Sequence, residues 1–114
     1  MESVNLFSDT QTKPSAAMRE AIASAEVGDE QLAADPTINL LQHRVAELLG
    51  KEAALFLPSG TMCNLIAYRL HIGNDGGQIL LDRTAHALRY EAGGPAALAG
   101  AVLTPLDGAG GIFT

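Results

Sequence analysis

From Ala53 onward the sequence alternates short apolar runs with stretches of helical spacing. That alternation constrains the fold more than any other feature of the 114 residues. "AALFL" (Ala53–Leu57), "QILLD" (Gln78–Asp82) and "AVLTPL" (Ala101–Leu106) have the length and texture of buried strands. Pro105 is expected to limit the third. Between the first two, a helix starting near Gly60 carries Met62, Leu65, Ile66, Arg69 and Leu70 roughly on one side. Between the second and third, "TAHALRYEAGGPAALAG" predicts a short helix and an irregular turn. Strand–helix–strand–helix–strand order implies an α/β fold with a mostly parallel sheet and flanking crossover helices. In such sheets ligands gather beyond the carboxyl ends of the strands.

Upstream, residues 1–14 show no helical period and read as an extended arm. Residues 15–50 hold two helices. The first starts at Pro14 and Ser15, a first-turn proline and a cap, with Met18, Ile22 and Ala25 on one face and Gly28 as its stop. The second opens at Asp35-Pro36, carries Ile38, Leu41, Val45, Leu48 and Leu49 as an apolar stripe, and stops at Gly50. Residues 51–114 then begin the α/β part, in which "GNDGG" (Gly73–Gly77) reads as a surface loop.

Composition narrows the function classes. Hydrophobic residues make up 47% of the chain, which suits a packed domain. Thirteen acidic residues stand against seven Lys and Arg, a net charge of −6, which speaks against a nucleic-acid backbone as partner. No apolar run approaches the ~18 residues of a membrane span. "MESVNLFSDTQTKP" has no basic stretch followed by an apolar core, so no signal peptide is expected. The single cysteine, Cys63, reads as a reduced thiol packed in a helix of a cytoplasmic protein.

Two motifs fall at expected strand ends. Ser59-Gly60-Thr61 follows the first run and opens a helix, where unpaired amides and a partial positive charge favour a phosphate. Gly60 allows close approach and Thr61 offers a hydroxyl. An ordinary capped turn has the same residues, and the segment is neither a P-loop nor a dinucleotide turn. His86 follows the second run by four residues and can stack, donate or accept, or serve as a structural histidine. His43 and His71 have no partner at ligand spacing, so no metal site is expected. Ser8-Asp9-Thr10 reads as a turn or cap cluster.

Taken together, "SDTQTKP", "VGDE" with "DPT", "GKEAALFLPSGT", "AH" and "EAGGPAAL" occur in an order that resembles the threonine aldolase and aromatic amino acid β-eliminating lyase family. The resemblance runs from Asn5 to the end and covers the N-terminal portion of that family's much longer chains. It implies a pyridoxal-phosphate-dependent enzyme of the aspartate aminotransferase-like fold (fold type I), of which this is an incomplete large domain. The implied reaction cleaves β-hydroxy amino acids such as threonine to glycine and an aldehyde. By the same resemblance, Gly60 and Thr61 hold the cofactor phosphate, and His86 stacks on its ring near the substrate hydroxyl. Ser8 helps hold the substrate carboxylate. The family also implies a homo-oligomer, whose sites are completed by a neighbouring subunit.

The family's Schiff-base lysine, the aspartate facing the pyridine nitrogen and the later substrate-binding arginines match nothing here. The two lysines, Lys13 and Lys51, occupy other positions. The chain is therefore expected to be one piece of such an enzyme and inactive alone. Leu32-Ala33-Ala34 stands where many members of the family have an aromatic residue and a Gly-acidic pair. Phe7 stands where arginine is common. These departures bear on substrate preference rather than fold. Two other functions fit the residues: β-elimination of an aromatic amino acid, and a non-catalytic module binding phosphate or a partner chain.

Overall fold

The computed structural model describes residues 4–113. The chain divides into two compact units, Met1–Phe56 and Leu57–Thr114. The first three residues of the expected arm lie outside the described residues.

In the first unit the arm is not wholly extended. Ser8 caps a 3-10 turn, Asp9–Gln11, by accepting from the Thr10 amide, because Ser and Asp side chains compete for nearby backbone donors. Helix α1 spans Ala16–Ser24, with the Ser15 hydroxyl accepting from the Met18 amide. Gly28 is not its stop. The helix ends at Ser24, whose hydroxyl bonds back to the Glu20 carbonyl at 2.8 Å, and Ala25 is already extended at ψ 132°. Gly28 serves another purpose: a Cβ there would sit 2.2 Å from the Ala34 carbonyl oxygen. The bare glycine lets its amide donate to Asp35 Oδ2 at 2.9 Å.

Asp35 thereby does two jobs. Its Oδ1 caps helix α2 (Pro36–Leu49) through the Ile38 amide at 2.8 Å, while Oδ2 holds the preceding loop. Those backbone donors keep its carboxyl below the usual range. Gly50 ends α2 at φ 59°, as the glycine stop predicts. The α2 stripe is only partly covered: Ile38 and Val45 are half-buried, and Leu41, Leu48 and Leu49 are exposed.

Ala53–Leu57 does not form the expected first strand. It is extended, and the Phe56 amide donates to Gln42 Oε1 at 2.9 Å, but no ladder forms among the described residues. A lone apolar run has no strand without a neighbour to complete its hydrogen bonds.

The second unit is the α/β part. Helix α3 (Gly60–Ile72) leads through a glycine turn to β1 (Gly77–Asp82). Short helices α4 (His86–Arg89) and α5 (Gly94–Ala99) cross over to β2 (Ala101–Leu106). The two strands pair in parallel, from Gly77 opposite Ala101 to Asp82 opposite Leu106. Pro105 does not cut the ladder short, since the Leu106 carbonyl still accepts from the Arg83 amide at 2.9 Å. Leu81, Ala87, Pro95, Ala99 and Ala101 are the buried apolar residues of this unit. Helix α5 packs close to α3 because Gly94 has no side chain; a Cβ there would lie 3.0 Å from Leu65 Cδ2. Cys63, expected to be packed, is exposed on α3. Among the described residues no helix is long and apolar enough to cross a membrane.

Candidate active site

The connections fix which end of the second unit holds Gly60, Thr61 and His86. Helix α3 runs into β1 through a four-residue turn, so its C-terminus lies at the start of that strand and its N-terminus lies toward the strand's carboxyl end. Helix α5 precedes β2 by one glycine and has the same sense. The segment carrying His86 leaves β1 at its carboxyl end. Gly60, Thr61 and His86 therefore share the side of the sheet where open α/β folds bind ligands.

At the α3 start, Ser59 is the cap. Its hydroxyl accepts from the Met62 amide at 3.2 Å, and its carbonyl accepts from Cys63 at 3.1 Å. The two amides before them, those of Gly60 and Thr61, donate to no acceptor among the described residues, as a first helical turn dictates. A Cβ built on Gly60 meets nothing within 4 Å. Open space, free amides and a 13-residue helix dipole converge there, beside the half-buried Thr61.

His86 opens α4 with its side chain 60% exposed. Its Nδ1 lies 3.0 Å from Oε1 of Glu91, whose side chain is fully buried. Asn64, in the second turn of α3, donates its Nδ2–H to the same oxygen at 2.7 Å. Oε2 of Glu91 is buried without a partner among the described residues. The Tyr90 ring lies at 5.3 Å from the imidazole, tilted by 46°. Burial pushes the Tyr68 phenol up, and the Glu91 charge adds to that.

A second anchor holds the strand end from which the His86 segment departs. The buried Asp82 accepts from the Thr84 amide at 2.8 Å, the Thr84 hydroxyl at 2.5 Å and the Gly108 amide at 3.0 Å. Nearby, Arg83 makes a two-point contact with Asp107, Nε to Oδ1 at 2.6 Å and Nη2 to Oδ2 at 3.3 Å.

Of the residues expected from sequence, Gly60, Thr61 and His86 thus fall in one unit, joined through Asn64 and Glu91. Ser8 belongs to the first unit, half-buried, its hydroxyl 2.9 Å from that of Thr10. Sequence reasoning missed Glu91 and Asn64. A signal was available for Glu91: it is the lone charged residue between Arg89 and Asp107, in a run otherwise fit for burial.

These residues suit pyridoxal phosphate. Paired amides beside open space can take a phosphate, and an exposed imidazole braced by a buried carboxylate can lie against a flat ring.

Comparison with known proteins identifies the family. Residues 5–114 match the family model for beta-eliminating lyases. The chain is 48% identical over 100 residues to the low-specificity L-threonine aldolase 1 of Arabidopsis thaliana, covering 88% of this chain and 28% of that protein. It is 47% identical over 106 residues to the low specificity L-threonine aldolase of Escherichia coli strain K12, covering 93% and 32%. The match to the Saccharomyces cerevisiae low specificity L-threonine aldolase is 42% over 102 residues, covering 90% and 26%. The chain thus spans less than a third of the length of these relatives. With the match to the lyase family extending from Asn5 to Thr114, the chain belongs to the beta-eliminating lyase family.

Proposed function

We propose that this chain is the N-terminal part of a pyridoxal-phosphate-dependent lyase of fold type I that cleaves threonine and allo-threonine to glycine and acetaldehyde. The observation that carries the reading is the coupling of two features. Amides at Gly60 and Thr61 with no acceptor among the described residues open a long helix, and that helix is tied through Asn64 and Glu91 to an exposed imidazole. The names of the relatives supply the substrate class.

In this reading the Gly60 and Thr61 amides, with the Thr61 hydroxyl, hold the cofactor phosphate at the α3 dipole. His86 lies against the ring and keeps it oriented. When bound, pyridoxal phosphate supplies an electron sink at the substrate Cα. The chain's part is to place that sink and to handle the proton. Nε2 of His86 takes the proton from the β-hydroxyl, directly or through a water it holds, a role typically worth about 10²–10⁴-fold. Ser8 holds the substrate carboxylate. The complete enzyme is a cytoplasmic homo-oligomer, with neither nucleic acid nor membrane as a partner.

The test uses the full-length protein carrying this segment. Uptake of pyridoxal phosphate, followed by absorbance, together with glycine release from threonine, supports the reading. A folded full-length protein that takes up the cofactor and releases no glycine from either threonine isomer refutes it. Ammonia release from an aromatic amino acid would move it to the β-eliminating branch.

A further inference from the structure

Glu91 holds the key contacts of the second unit without a role in the chemistry outlined above. Its side chain is fully buried, whereas that of His86 is 60% exposed. A buried carboxylate is costly unless donors satisfy it, and in Glu91 the donors gather at Oε1 while Oε2 has no partner among the described residues. Here two donors from different elements meet at one oxygen, Asn64 Nδ2 at 2.7 Å and His86 Nδ1 at 3.0 Å. Oε1 already accepts from the Asn64 side-chain amide, and a second donor at the same oxygen would be His86 in its Nδ1–H form. The other nitrogen, Nε2, has no partner among the described residues and is left as the acceptor on the exposed side of the ring.

We infer that Glu91 is the positioning residue of this site: it fixes His86 in the Nδ1–H form, and through Asn64 it sets the imidazole against the helix that opens at Gly60. The Asn64 bond orients the carboxylate, and the carboxylate orients the ring, so the two cofactor contacts come from one braced unit. The same logic governs histidines whose second nitrogen is held by a carboxylate in hydrolytic and metal sites, where the wrong tautomer costs orders of magnitude in rate. The inference rests on the proposed use of Nε2 in catalysis, but its direct readout does not.

The experiment is long-range 15N NMR of the full-length holoenzyme labelled in histidine, at neutral pH. His86 should show a protonated Nδ1 and a Glu91→Leu variant should show a mixture of both tautomers. In steady-state kinetics that variant should lose kcat by about 10–100-fold with KM within about twofold, the pattern of a lost orienting group rather than lost binding. An unprotonated Nδ1 in the wild type overturns the inference, and this spectrum needs no variant to fold. So does a Glu91→Leu protein that keeps the Nδ1–H form. Failure of the wild type to cleave threonine would strike the proposed function and leave the tautomer result standing.

Discussion

Asn64 Nδ2 stands 2.7 Å from Glu91 Oε1, so the helix that opens at Gly60 is bonded to the segment carrying His86, across 27 positions of sequence. Neither element has that geometry by itself. A helix start is a generic anion seat, and an exposed histidine is a generic surface residue. The bond makes them one arrangement.

The cap at the head of that helix is its first test. Ser59 satisfies the Met62 amide, so Ser59→Ala should lower the stability of the full-length protein by about 1 kcal/mol. Urea denaturation measures this directly. A change near zero would mean that the α3 start is held by other contacts.

Gly108 tests the anchor at the end of β1. A Cβ there would stand 2.6 Å from the Ile112 carbonyl oxygen and 2.7 Å from Asp82 Oδ2. Because backbone is one of the two obstacles, Gly108→Ala should cost about 1–3 kcal/mol, as overpacking does. The measurement is a thermal or urea midpoint, and a wild-type midpoint would show that the loop after β2 yields freely.

Asp82 makes a prediction about acid. The Thr84 hydroxyl and amide, with the Gly108 amide, hold its carboxyl below the usual range despite burial. A carboxyl with a depressed folded value binds fewer protons folded than unfolded, so its contribution to stability rises with pH across that window. It is fully present above the unfolded value of about 3.9 and is lost as pH falls through the lower folded value. Stability of the wild type should therefore stay flat from neutral pH to about pH 5 and decline below about pH 4. Asp82→Asn should be less stable at neutral pH and show a shallower acid decline. Parallel acid profiles would contradict this.

Much of this fold was legible because its signals are local. Asp35-Pro36 and Gly50 bracket α2, Ser15 caps α1, and Gln78–Asp82 with Ala101–Leu106 form the parallel pair. What escaped depends on distant partners. Ala53–Leu57 looks like a strand but finds no neighbour among the described residues, and periodicity says nothing about where a ladder comes from. Gly28 looks like a helix stop, yet its absent Cβ serves the approach to Ala34. Gly60, Thr61 and His86 were candidates by position and resemblance, since each lies just past an apolar run. Glu91 was missed because its importance arises from burial between two donors, and sequence shows charge without showing depth.

The central claim, that the α3 amides seat a cofactor phosphate, is tested most directly by Gly60→Asp in the full-length protein. An acidic residue in a first helical turn interacts well with the dipole, by about 0.3–1 kcal/mol, so the urea midpoint should hold or rise. The same carboxylate occupies the open space beside the amides and repels an anion. Pyridoxal phosphate affinity, measured by absorbance titration, should then fall by at least about tenfold, equivalent to ~1.4 kcal/mol. Unchanged affinity in a stably folded Gly60→Asp protein would contradict the account.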